Sequence, residues 1–376
     1  MRIGIDARFY GTLGKGLGRY TEKLIQELEK IEGEDEFFIF LRRENYEEYV
    51  PQSPRFTKVL ADFPWYGWRE QLLFPRLLRR FKVDLMHFPH FNVPLFYKRP
   101  FVVTIHDLIL LHYPTVKASE LPPFLYWVKY LLYRIVIGSA IKRARIIFTV
   151  SEFTRRDLIT AYPKAVGKIC VAYEAADAVC PLVSKEEEQA ALQMLGLNFR
   201  GEGKPYVLYV GNAYPHKNLE LLLQVASCLP EKLFVCVGRE DYFYRGLKER
   251  VKNEHLNNVR FVGFVSDRLL PTLYREAESY FFPSLYEGFG LPALEALTFG
   301  TPVVSARAGP LPEVVGEAGI FFNPKNLKET RDKLEMIGRN EGLRQRMIAL
   351  GYKRVKQFSW ASMAVATLRQ YHRETR

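Results

Sequence analysis

Cysteine is scarce in this chain. Four occur, Cys170, Cys180, Cys228 and Cys236, with no C-x-x-C pair and no histidine at zinc spacing. Neither a disulfide framework nor a structural metal site is expected, and a reducing cytoplasm suits the chain. The spacing G-x-G-x-x-G is missing, so a dinucleotide fingerprint is not supported. The opening "MRIGIDARFYG" runs into a strand-like segment without the apolar region of a secretory leader, and none is expected. Low-complexity tracts and short-period repeats are absent too. The longest apolar stretch, 124–148, is interrupted by Lys129, Arg134, Lys142, Arg143 and Arg145 and does not read as a clean membrane span.

What is present is material for two cores. The 376 residues are 48% hydrophobic and 26% charged, the balance of a soluble globular protein of two ordinary domains. A formal net charge of +12 asks for an acidic partner: nucleic acid, an anionic membrane surface or a phosphorylated small molecule.

Short β-branched and aromatic runs at 2–6, 36–41, 83–88, 101–105, 146–150, 206–210, 233–237, 259–262, 279–282 and 302–304 predict strands. Helical periodicity appears at 18–31, 124–143, 218–229, 243–253, 269–276, 292–299, 326–338 and 340–357. Such alternation predicts parallel sheets covered by helices on both faces. The pattern restarts at "GKPYVLYVGNAYPHKNLELLL", after a polar stretch. Two doubly wound α/β domains are therefore expected, 1–180 and 181–357, with an amphipathic helix in 358–376 packing back on the first. Ligands of open parallel sheets bind beyond the strand carboxyl ends, so a cleft between facing domains is expected.

Candidate site residues sit where strands end. The first strand is followed by Gly11, Gly14, Gly16 and Gly18 ahead of a helix, an arrangement that serves either an anion or plain turn geometry. His106 and Asp107 end another strand; a carboxylate beside a histidine can hold one tautomer, or simply stabilise a core edge. His87 and His90 are better explained as structural. Lys217 precedes a helix and suits a phosphate or solvent.

In "SLYEGFGLPALEALTFG", Pro292 has the place of a first helical residue, so the backbone N–H groups of Gly290 to Ala293 can face an anion. Glu287 lies in the approach loop and Glu295 about one turn into the helix. Paired carboxylate oxygens suit vicinal hydroxyls, and a capping glutamate plus a surface glutamate is the bland alternative.

At this point the sequence resembles glycosyltransferase family 4 (group 1), the retaining, nucleotide-sugar-dependent enzymes of the GT-B fold. Glu287 and Glu295 reproduce its E-x7-E motif. "GIDARFYGTLGKGLGRYTEKLIQEL", "TIHDL", "FTVSEFTRRDL", "YVGNAYPHKNLELLL", "FPSLYEGFGLPALEAL" and "GPLPEVVGEAGIFFNP" resemble its successive motifs in order, over nearly the whole chain.

The resemblance implies roles. Glu287 contacts the donor sugar, Glu295 the donor ribose, and Lys217 the diphosphate, with Asn212 beside it. Backbone N–H groups near Gly14 and Gly16 and at Gly288, Phe289, Gly290 and Leu291 assist. His106 orients the reacting sugar or the acceptor, and 263–274 borders the base. Many members carry an arginine near the lysine where this chain has Asn212 or His216; Arg239 or Arg307 could substitute, or the diphosphate is held less tightly.

No D-x-D triplet occurs, so the divalent-metal clamp of the other large glycosyltransferase fold is missing and no metal or other cofactor is expected. The implied reaction moves a hexose, mannose first and glucose next, from a GDP- or UDP-sugar to a glycan or lipid-linked acceptor. No nucleic-acid partner is implied.

The basic, aromatic stretches 65–82 and 124–148 suit either an anionic inner leaflet, with peripheral membrane attachment, or domain core. Core is the expected use of 124–148, and 65–82 stays open. An epimerase or phosphorylase on the same fold, and a basic nucleic-acid- or membrane-binding protein without turnover, are the competing functions. No pyridoxal-lysine motif supports a phosphorylase.

Overall fold

The computed structural model describes residues 1–11, 15–118, 122–177, 184–197 and 205–375. The chain forms two compact units, one of Met1–Leu108, Leu121–Glu174 and Ser359–Arg376, the other of Ile109–Glu120 and Ala175–Phe358. Gly14 and Cys180 fall outside the described residues.

Among the described residues the first unit holds a sheet of seven strands: β1 (Arg2–Asp6), β2 (Glu36–Leu41), β3 (Phe56–Leu60), β4 (Leu85–Phe88), β5 (Phe101–Ile105), β6 (Ile147–Thr149) and β7 (Ile169–Val171). Their order is β3-β2-β1-β4-β5-β6-β7, and every pairing is parallel. The second unit holds β8 (Tyr206–Val210), β9 (Leu233–Val237), β10 (Val259–Gly263), β11 (Ser279–Phe282), β12 (Val303–Ala306) and β13 (Gly319–Phe322). The order there is β10-β9-β8-β11-β12-β13, again all parallel. Central strands such as β4, β5 and β11 are buried along their whole length, as parallel strands covered on both faces must be. In each sheet the order reverses once, between β1 and β4 and between β8 and β11. Loops leaving the carboxyl ends diverge at those points and open a crevice.

Three strands are not foreshadowed by the sequence pattern: β3, β7 and β13. Each is a sheet edge, paired on one side only, and each is partly exposed. An edge strand needs no unbroken apolar run, so its signal is weak. Helix Trp68–Arg80 is also missed, because Pro75 lies inside it, where proline normally ends a helix; here Phe74, Pro75 and Leu78 are buried together. Helix Lys185–Met194 had a legible start, a capping box of Ser184 and Glu187, within a stretch assigned to the domain boundary.

The C-terminal helix Trp360–Thr375 belongs to the first unit and packs against helix Lys15–Lys30. Its Tyr371 hydroxyl meets His87 Nδ1 at 2.5 Å, while His87 Nε2 meets Thr104 Oγ1 at 2.8 Å. Burial pushes the His87 pKa down to about 3, so this ring is a neutral structural bridge.

Helix Pro123–Arg143 corrects an expectation. The chain does not use it as ordinary core: Tyr126, Ile137, Ala140 and Ile141 are buried, whereas Phe124, Trp127, Val128, Leu131 and Ile135 are exposed. The helix carries apolar side chains on both sides, and the domain covers one.

Gly16 and Gly18 lie inside helix Lys15–Lys30 and not ahead of it as the sequence implied, whereas Gly11 precedes the helix. Gly11 has φ +73°, and a Cβ on Gly18 would lie 2.0 Å from the Gly11 carbonyl oxygen, so close backbone packing requires both. A Cβ on Gly16 would meet nothing within 4 Å. Gly18→Ala is therefore expected to destabilise the chain by about 2 kcal/mol in urea unfolding, and Gly16→Ala to leave stability within about 1 kcal/mol of the parent.

Candidate active site

The second sheet's reversal point brings two loops together. β8 leads through a short turn, Pro215–Lys217, to Asn218, which takes the left-handed conformation at φ 55°. β11 leads into the loop carrying Glu287. The Leu285 N–H donates to the His216 carbonyl at 2.7 Å, and Asn218 Nδ2 donates to the Pro283 carbonyl at 3.3 Å, so one backbone and one side-chain bond fasten the loops. Across them Lys217 Nζ donates to Glu287 Oε1 at 2.6 Å and Oε2 at 2.8 Å. Glu287 is only 7% exposed, and Lys217 lies 5.9 Å from the Phe282 ring centre. A buried carboxylate needs such a counter-charge. An ammonium has three donors and a carboxylate about four lone-pair sites, so both groups keep capacity for a ligand.

Gly290 follows at φ 99°, a conformation that favours glycine, and caps helix Leu291–Thr298. Pro292 is the second helical residue, not the first. The anion-facing group of N–H donors is smaller than the sequence implied: Pro292 has none, and the Ala293 N–H donates to the Gly290 carbonyl at 3.0 Å. Gly290 and Leu291 remain. The Phe289 side chain is buried, edge-on to Phe358 at 5.5 Å, so this residue can offer a ligand only its backbone. Glu295 Oε2 accepts from the Tyr274 hydroxyl at 3.2 Å, which joins the helix to the 263–274 segment.

Neither Asn212 nor His216, where the resemblance implies an arginine, supplies a permanent cation. The Asn212 carbonyl accepts from the Tyr209 hydroxyl at 2.6 Å. His216 is buried, and burial together with Lys217 lowers its pKa to about 4, so it is neutral near pH 7. Arg239 and Arg307 are exposed just beyond β9 and β12, the strands flanking the reversal point, over Phe264 and Phe321 at 5.0 and 5.1 Å.

In the first unit His106 follows β5. Its Nδ1 faces Glu174 Oε1 at 3.1 Å and its Nε2 faces the Pro89 carbonyl at 2.9 Å, with the Tyr20 ring edge-on at 4.7 Å. Two acceptors on one imidazole require both nitrogens to carry hydrogen. Burial alone would lower the pKa, but the Glu174 hydrogen bond and charge, the Pro89 carbonyl and the Asp107 charge outweigh it, and the value is raised. The carboxylate hydrogen-bonded to the ring is thus Glu174, and the adjacent Asp107 contributes its charge. Nothing in the sequence pattern signals this partner.

The sequence also gave no sign of the buried network behind β1. There Arg8 pairs with Asp6 at 2.7 Å and with Glu70 at 2.6 Å, and Asn92 Nδ2 donates to Glu70 at 2.8 Å. It ties the carboxyl ends of β1 and β4 to helix Trp68–Arg80 at the first sheet's reversal point.

Removing the His106 partner gives a pH test. A raised folded-state pKa contributes stability fully below the ordinary value of 6.5 and loses it as pH rises through the folded value. Urea unfolding should therefore show the parent more stable than Glu174→Gln in mild acid, with the difference shrinking as pH is raised.

Two family models match the chain: "Glycosyltransferase Family 4" over residues 14–178 and "Glycosyl transferases group 1" over residues 198–354. The O-antigen chain mannosyltransferase B of Escherichia coli is 30% identical over 379 residues, covering 95% of this chain and 95% of that protein. The O-antigen chain mannosyltransferase RfbU of Salmonella typhimurium is 24% identical, covering 87% and 88%. Among solved structures, sucrose-phosphate synthase from Thermosynechococcus elongatus superposes with a TM-score of 0.77 at 18% identity, over 99% of this chain and 98% of that one. The two parallel-sheet units have the GT-B fold. The chain belongs to the group 1 glycosyltransferases.

Proposed function

We propose that the protein transfers a hexose, mannose first and glucose next, from a GDP- or UDP-sugar to a hydroxyl of a glycan or lipid-linked acceptor, with retention and without a metal. The observation that carries this is the Lys217–Glu287 pair at the reversal point of the donor-side sheet. Breaking the anomeric C–O bond leaves positive charge on the sugar ring and negative charge on the departing phosphate. Lys217 and the N–H groups of Gly290 and Leu291 are held in place to receive that phosphate, and preoriented dipoles lower the barrier because they need not reorganise. Glu287, beside the lysine, takes the sugar hydroxyls, and Glu295 takes the ribose.

His106 orients the reacting sugar or the acceptor. With Nδ1 kept on Glu174, its Nε2–H would exchange the Pro89 carbonyl for a substrate oxygen, acting as a hydrogen-bond donor and not as a general base. Front-face attack assisted by the leaving phosphate accounts for retention without a protein nucleophile. A lysine in the diphosphate position and the lack of a D-x-D triplet support metal independence. Mannose is favoured because the two bacterial relatives named above carry that activity in their names. A lipid-linked acceptor puts the enzyme in the cytoplasm, at the inner membrane face.

Thermal unfolding with GDP, UDP, GDP-mannose and UDP-glucose, with and without EDTA, tests the donor. One nucleotide series is expected to raise the midpoint, by about 2.7 kcal/mol at a hundredfold excess over Kd, unaffected by EDTA. Lys217→Ala should lower kcat by about two to three orders of magnitude. Glu287→Ala should abolish transfer with little change in nucleoside diphosphate affinity, and Glu295→Ala should weaken nucleotide binding itself. Full transfer by both glutamate variants would overturn these assignments. Salt-sensitive nucleic-acid binding with no nucleotide response would replace the function altogether.

A further inference from the structure

Helix Pro123–Arg143 is, among the described residues, the one helix long and apolar enough to cross a membrane, and most of it is exposed. Phe124 is 76% exposed, Leu131 58% and Trp127 50%. With Val128 and Ile135, which are also exposed, the spacing is i, i+3, i+4, i+7 and i+11, a single stripe along one side. At about 100° per residue, Leu125 and Leu132, also exposed, widen the stripe on one side as far as Lys129, Arg134 borders its other edge, and Lys142 closes its end. The opposite side is committed to the domain. Tyr126, Ile137, Ala140 and Ile141 are buried, Tyr133 packs edge-on to Phe91 at 4.9 Å, and Arg143 donates to the carbonyls of Tyr97 and Pro94.

We infer that this stripe is an in-plane membrane anchor that seats the first unit on an anionic lipid surface. Charge selects the occupant. No Asp or Glu occurs from residue 121 to 151, nor from 71 to 83, while both stretches carry several Lys and Arg. The surface extends beyond the helix: Tyr66, exposed, lies under Lys129 at 5.8 Å, and nearby in the chain Trp68 is 69% exposed. A second copy of the chain meeting this face about a two-fold axis would set like charges against each other, whereas anionic headgroups complement them. Spanning is disfavoured by the same geometry. It would strip the buried side from its domain and carry Lys129 and Arg134 into hydrocarbon. Lying in the interface, the apolar stripe enters the acyl boundary and the flanking cations stay at headgroup depth.

The inference names the surface that a lipid-linked acceptor would require and in that respect rests on the proposed function, but its test needs no turnover. The full chain is floated with vesicles of phosphatidylcholine alone and of equal parts phosphatidylcholine and phosphatidylglycerol, with Trp fluorescence read in parallel. Binding to the anionic vesicles, weakened by salt, is expected, with a blue shift from Trp127. Phe124→Ser with Leu131→Ser should reduce that binding by at least about tenfold, since burying one such side chain is already worth that factor. Lys129→Glu with Arg134→Glu should reduce binding to anionic vesicles more than to neutral ones. All four side chains lie on the exposed stripe or at its edges, so melting midpoints should stay near the parent's. Equal flotation of parent and variants, or no flotation of the parent, overturns the anchor. So does a parent that is dimeric by light scattering, becomes monomeric in the Ser variant and ignores vesicles. Loss of flotation with nucleotide-sugar hydrolysis intact separates failure of the anchor from failure of the transferase.

Discussion

Everything chemical in the second unit depends on the reversal of strand order between β8 and β11. A sheet wound in one direction would carry its loops away in sequence and leave no crevice. Here the loops leaving two neighbouring strands part, and the gap at their carboxyl ends receives Lys217 from one side and Glu287 from the other. A charged pair this well covered needs its bidentate geometry, and the Leu285–His216 backbone bond and the Asn218 side chain fasten the loops that carry it. Stability and site placement therefore have one cause.

The first unit repeats the same construction with different chemistry. Its reversal point is occupied by the fully buried Arg8, paired with Asp6 and Glu70, and this network fixes how the chain leaves β1. Further along the sheet, His106 is held between a carboxylate and a carbonyl and is thereby committed to donating hydrogen bonds. His87, one strand over, is held between two hydroxyls and stays neutral. The two histidines thus have their pKa values moved in opposite directions, each by the partners that the fold supplies.

The sequence by itself determined the class of the fold and the positions of most central strands, because strands covered on both faces must be apolar without interruption. Lys217, Glu287, Gly290 and Glu295 were legible for a related reason: loops at strand ends, a glycine turn and a helix start are local events written in a few consecutive residues. Edge strands β3, β7 and β13 were not legible, since one neighbour imposes only half the pattern. Tertiary structure alone decided the rest. Glu174 reaches His106 from 68 positions away, and Glu70 reaches Arg8 from 62, distances over which sequence carries no register. Nor can an apolar helix announce which of its sides the domain will cover. Residues 124–143 carry apolar side chains on every side, and only packing decided that one side joins the core and the other faces outward.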